Sequence, residues 1–209
     1  MDINSQMKKL MLRRPVFHSE ADFQFALAWQ IQLSYPDAKV SLECCPAEQK
    51  NMHLDILVKI GRSYFPIELK YKTLKGKMEI GEECYNIKSH GAQDLGRYDY
   101  WIDVSRIERL KDTMKTFEKG YAVILSNDPS YWVKPRNTKE TVCDAYRIHD
   151  GFKKHGLLSW LGNPSSGTTK KRENPICLMG DYMMEWEEYS KLSSARNGTF
   201  RYLLLEVSK

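Results

Sequence analysis

The chain has 209 residues, 42% hydrophobic, 28% charged and 11% aromatic, with a formal net charge of +5. That is enough apolar material for one large domain, or a domain with an added subdomain, and too much for a disordered chain. No run approaches the roughly 18–20 apolar residues of a membrane span, so no membrane partner is expected, and the mild positive charge leans only slightly towards polyanions.

Residues 1–17 read as a basic N-terminal arm. They lack the apolar stretch of about 7–15 residues that a secretory signal needs. The five cysteines, Cys44, Cys45, Cys84, Cys143 and Cys177, form no C-x-x-C. Reduced thiols in a cytoplasmic protein are expected, with no zinc site and no disulfide framework.

Next, "SEADFQFALAWQIQLSYP" predicts a helix over roughly 19–34. Ser19 is its N-cap, acids fill the first turn, and Pro36 limits continuation. "AKVSLECC" reads as a strand. "HLDILVKI" and "SYFPIELKYKT" read as a hairpin turning at Gly61-Arg62. Residues 75–97 are polar and give no clear element. "YDYWIDVSRIERLKDTMKTFEKG" predicts an amphipathic helix closed by Gly120, and "YAVILSN" a buried strand. Later, "NPSSGTTKKRENP" reads as a loop, "EWEEYSKL" as a short helix and "FRYLLLEV" as a final strand. The fold expected is α/β, an α-β-β-β-α-β core over 18–130 with a mixed sheet flanked by helices, followed by an α+β extension over 131–209.

The hairpin carries the chemistry. Pairing about Gly61-Arg62 sets Ile60 opposite Ser63 and Asp55 opposite Glu68. Directly opposed Cβ atoms are about 4.5–5.5 Å apart. Glu68 and Lys70 share a strand face, so Asp55, Glu68 and Lys70 point the same way, while Leu54, Ile56, Val58, Ile67 and Leu69 take the other face. Two opposed carboxylates need a cation or a proton. Hard oxygen ligands at this separation suit Mg²⁺ or Mn²⁺, with a lysine placed to touch phosphate or water. A solvated face, with Lys70 bridging the two acids, is the competing reading.

This arrangement resembles the PD-(D/E)xK nuclease superfamily of restriction and repair enzymes. Asp55, 12 intervening residues and "ELK" at 68–70 match its motif, and Glu20 in "SEADF" matches the acid on its preceding helix. The likeness covers about residues 18–126. Leu54 stands where many members carry proline. The full chain also resembles a group of bacterial proteins of unassigned function that carry "IELKYKT" and "GAQDLGRYD" runs. The resemblance implies a restriction-endonuclease-like fold and metal-dependent hydrolysis of DNA, in restriction or phage defence. It implies Asp55, Glu68, Glu20 and the Leu69 carbonyl as ligands for Mg²⁺ or Mn²⁺, with Lys70 beside the attacking water. Asp22 and even His18 sit within one turn of Glu20, and Asp22 takes the role if the helix is rotated.

For nucleic-acid contact, Gln93 and Arg97 stand four apart on the following helix, Lys72 follows Lys70, and Lys170, Lys171 and Arg172 form a cationic run. A catalytically silent binding member of the same fold, an RNA-cleaving enzyme and a toxin share these features. A homodimer is a further possibility, since C2 pairing is the commonest symmetry.

Overall fold

The computed structural model describes residues 1–46, 52–136, 139–195 and 197–209. Residues 1–17 are not a lead-in arm. Asp2 caps a helix, α1 (Ile3–Arg13), by accepting the Ser5 N–H at 3.1 Å. Ile3, Met7 and Leu10 are buried at helical spacing. The expected second helix is α2 (Glu20–Ser34), with Ser19 as N-cap.

Six strands make the central sheet: β1 (Lys39–Cys44), β2 (Leu54–Ile60), β3 (Ser63–Lys72), β6 (Lys119–Ser126), β9 (Trp186–Lys191) and β10 (Thr199–Ser208). Their order is β1-β2-β3-β6-β10-β9. β3 and β6 run parallel and the other neighbours antiparallel, so the sheet is mixed. Helix α3 (Gln93–Thr113) connects β3 to β6, the long crossover that a parallel pair requires. The element order expected over residues 18–126 is therefore present, with one insertion. The unassigned residues 75–97 contain a hairpin, β4 (Gly76–Ile80) and β5 (Glu83–Ile87), turning at Gly81 with φ +60°.

The centre of the sheet is buried on both faces. Along β6, Tyr121, Val123 and Leu125 join the α2-side cluster with Phe23, Leu27 and Ile31, while Ala122 and Ile124 join the α3-side cluster with Trp101, Val104 and Ile107. This explains why "YAVILS" is apolar without a break. Leu54, expected beside Ile56 and Val58, packs instead in the α3-side cluster.

Three more expectations change. Helix α3 ends at Thr113, with Met114 as its C-cap, not at Gly120. Gly120 lies within β6, where a Cβ would drive into Ile107 Cγ2, so its role is close helix-sheet approach. "EWEEYSKL" is strand β9. Glu188 pairs with Arg201 and Ser190 with Phe200, which leaves Tyr189 as the extra residue of a bulge. The bulge puts Trp186 and Tyr189 three apart on the buried side, and that spacing imitates a helix. Finally, β9 and β10 extend the central sheet, so the segment after residue 130 is part of the core as well as an addition to it. The addition proper is the hairpin β7 (Lys153–Leu158) and β8 (Ile176–Met183), which packs on α3, and a one-turn helix α4 (Ser166–Thr169) inside the predicted loop. No helix among the described residues is long and apolar enough to cross a membrane.

Candidate functional site

The site is built where the sheet opens. The β2–β3 ladder follows the expected register from Ile60↔Ser63 to Ile56↔Ile67 and stops there, one residue short of Asp55 and Glu68. Beyond that point β2 stays with β1, through Cys44↔Leu54, and β3 stays with β6, through Lys72↔Ser126. The notch leaves alternate N–H groups of β3 without a backbone acceptor on β2, and carboxylates take them. Leu69 N–H donates to Asp55 Oδ2 at 2.6 Å, and Tyr71 N–H donates to Glu20 Oε2 at 2.6 Å. The Asp55 N–H in turn reaches Glu68 Oε2 at 3.4 Å. Gln24, on α2, fixes the Asp55 carbonyl at 2.7 Å and Glu43 at 2.7 Å with the same amide. Glu20, Asp55 and Glu68 are thus gathered from a helix and two strands, and Lys70 lies on the same face of β3 as Glu68.

Two further charged residues close the floor, and both come from α3. Lys70 Nζ lies 2.6 Å from Asp103 Oδ2, an ion pair whose angles fall short of a directed hydrogen bond. Arg106 Nη2 lies 3.1 Å from Glu68 Oε1, and it also donates to the His53 carbonyl. Its N–H groups do not aim at Oε1, so that oxygen is buried without a hydrogen-bond donor. Sequence reasoning missed Asp103 and Arg106. One signal was available: Asp103 occupies the apolar phase of the helix, between Tyr100 and Ile107.

Glu68 is 2% exposed and Asp103 3% exposed, so electrostatics here are strong. Burial, then the Asp103 charge, pushes the Glu68 carboxyl far above its usual range, and Arg106 and Lys70 offset this only in part. Burial also raises Asp103 against the pull of Lys70 and Arg106. Asp55 is raised by burial as well, despite the Leu69 hydrogen bond and Lys70. Burial alone would lower the Lys70 ammonium, but Asp103 overrides it and holds the lysine firmly protonated. Four carboxylates, Glu20, Asp55, Glu68 and Asp103, surround two cations, Lys70 and Arg106. With all six ionised, two negative charges are uncompensated.

The donor set fits a hard divalent cation: it offers carboxylate oxygens, a matching charge deficit and an orphaned Glu68 Oε1. Asp55 and Glu68 with Glu20 are the residues that could hold one. The Leu69 carbonyl is taken by Lys70 Nζ at 3.1 Å. Among the described residues no three His, Cys, Asp or Glu side chains lie close enough together to enclose an ion.

The remaining candidates separate. Asp22 is not in the notch: it is clamped by Arg14 at 2.8 and 2.9 Å and accepts the His18 N–H. His18 stacks on Tyr85 and pairs with Glu83. Gln93 donates to buried Asp128 at 3.0 Å, and Arg97 donates to the Ser130 carbonyl over the Tyr131 ring, so both brace the loop after β6. Arg172 forms a two-pronged pair with Asp99 on the outer side of α3, at 2.7 Å for each bond. Lys170 and Lys171 beside it are exposed and have no ion pair among the described residues. Lys72 is on the notch side, its stem against Gly96 at the start of α3. Comparison with family models, with curated proteins and with solved structures gives no match.

Proposed function

We propose that this chain is a metal-dependent nuclease of the PD-(D/E)xK type, built on a restriction-endonuclease-like core and acting on DNA. The observation that carries the reading is the notch itself: carboxylates from α2, β2 and β3 meet beside a lysine, with two negative charges in excess once every one of them is ionised. Asp55, Glu68 and Glu20 would hold Mg²⁺ or Mn²⁺. Such an ion supplies Lewis acidity at phosphate and eases deprotonation of water. Lys70 and Arg106 place positive charge beside the phosphorus, where negative charge grows as the water oxygen bonds to it and the bond to the leaving oxygen breaks. Asp103 holds Lys70 charged and aimed.

A second reading has its own support. Lys70 is engaged by Asp103 and Glu68 by Arg106, a closed network that a nucleic-acid-binding protein without cleavage activity would also show.

The test is a panel of duplex DNA, single-stranded DNA and RNA, incubated with Mg²⁺, with Mn²⁺ or with EDTA. Cation-dependent cleavage is expected, falling by about a thousandfold or more in Asp55→Asn. Binding without cleavage in every condition supports the second reading and sinks the first. RNA-only cleavage moves the substrate class and keeps the chemistry.

Pairing of two copies has a candidate face. Phe25, Trp29 and Leu33 of α2 are 64%, 59% and 47% exposed. They form an i, i+4, i+8 stripe on a helix with no charged residue after Asp22. The stripe is symmetric about Trp29, so an antiparallel copy meets it like on like, as an isologous contact requires. Sedimentation should show a dimer that Trp29→Glu converts to monomer. A wild-type monomer at all concentrations removes this face as an interface.

A further inference from the structure

Beyond Lys70 the strand β3 ends at Lys72, and the next residue, Thr73, is buried. Thr73 is bound to the segment before α3 in three ways. His90 N–H donates to the Thr73 carbonyl at 2.7 Å, the Thr73 hydroxyl donates to the Lys88 carbonyl at 2.7 Å, and Thr73 N–H donates to His90 Nδ1 at 3.1 Å. The hydroxyl has one hydrogen, and it is used on Lys88. The close approach of the Thr73 oxygen to His90 Nδ1, at 3.0 Å, is therefore not a second donation from the hydroxyl. Because a backbone N–H points at Nδ1, that nitrogen must present its lone pair, and the ring proton sits on Nε2.

The Nε2–H has no partner among the described residues, and it is not fully buried. Burial and the Lys72 charge lower the ring's pKa, with Glu20 opposing and Lys88 adding a lesser push in the same direction as Lys72. Lys72 and Lys88 have no ion pair among the described residues. Three free donors therefore gather at the end of β3, next to the notch. Two residues of extended strand separate Lys72 from Lys70 by roughly 7 Å, which carries the chain from one phosphodiester to its neighbour.

We propose that His90, together with Lys72, grips the phosphodiester adjacent to the scissile one, donating its Nε2–H to a non-bridging oxygen. This rests on the nuclease reading and assigns the notch a second phosphate subsite. His90 is a neutral donor and Lys72 a cation, so they should behave differently towards salt. Neutralising a phosphate releases counterions, about 0.9 in the salt slope for each duplex contact, whereas losing a neutral hydrogen bond lowers affinity alone.

The experiment is fluorescence anisotropy with a labelled duplex oligonucleotide, with Ca²⁺ replacing Mg²⁺ to suppress cleavage, over a series of salt concentrations. In His90→Asn the amide oxygen can still accept the Thr73 N–H, but no donor occupies the Nε2 position. Its affinity should fall about tenfold with an unchanged salt slope. Lys72→Met should flatten the slope by about 0.9. Wild-type binding with an equal affinity for His90→Asn overturns this assignment and leaves the nuclease reading standing. No binding by the wild type overturns both. Imidazole ¹⁵N NMR of the wild type decides the matter should the Asn variant fail to fold. An Nε2–H tautomer whose Nε2 signal moves on adding the oligonucleotide is expected, and a signal that stays still, or a proton on Nδ1, overturns the assignment.

Discussion

Glu68→Gln is expected to abolish cleavage while making the cation-free protein more stable. Glu68 is buried, its Oε1 lacks a hydrogen-bond donor, and its pKa in the folded chain lies well above the usual 4.5 because of burial and Asp103. The folded state therefore holds a proton that the unfolded state has already released. Stability is fullest below about the unfolded value and declines as pH rises towards the folded one, by at most about 1.4 kcal/mol per pH unit. The pull of Arg106 and Lys70 is already contained in that raised pKa, so a loss on the order of 3 kcal/mol between pH 5 and pH 8 is expected in EDTA. Glutamine carries no charge to desolvate, so the variant's stability should fall less over that range, by the part that the raised Asp103 and Asp55 carboxyls contribute. Mg²⁺ should restore the wild type at pH 8, by about 2.7 kcal/mol at a hundred times its dissociation constant, and do little for the variant. Urea unfolding at several pH values, with and without Mg²⁺, measures all of this. A variant less stable than wild type at pH 8 in EDTA would show that Arg106 already satisfies Glu68, and the excess-charge argument for a cation would fail.

Lys70→Met should be the most destabilising of the site changes. It leaves the Asp103 carboxylate in a fully packed setting, with Arg106 Nη1 at 3.6 Å as its remaining cation. Removing one partner of a buried pair costs about 3–5 kcal/mol, because the other charge is left uncompensated. For a chain of this size that is a fall in Tm on the order of 10 °C. The double variant Lys70→Met/Asp103→Leu should recover most of the stability and none of the cleavage. A thermal melt of the two singles and the double gives the coupling energy. Additive effects would mean that the Lys70–Asp103 contact is not a working pair, and Asp103 would lose its assigned role of holding the lysine.

The division between what the sequence dictated and what the fold decided can be drawn at particular residues. Local rules placed α2 from its Ser19 cap, the hairpin register from Gly61-Arg62, and β6 from an unbroken apolar run. These signals are read within a few residues, where backbone sterics, capping and pleat alternation act. The same rules put Asp55, Glu68 and Lys70 in one neighbourhood. They misread β9, because a bulge at Tyr189 turns period two into period three, and bulges depend on the partner strand. They also gave Gly120 to a helix end, when its lack of a side chain serves the approach of Ile107 from α3.

The ladder's opening at Asp55 was beyond the sequence, because it results from β2 staying with β1 while β3 stays with β6. So were Asp103 and Arg106, more than thirty residues downstream, which reach Lys70 and Glu68 only once α3 crosses the sheet. The sequence determined which ionisable groups the hairpin carries and on which face. Tertiary structure alone decided how deeply they are buried and which charges meet, and those two quantities set whether the acids hold a proton, a lysine or a metal ion.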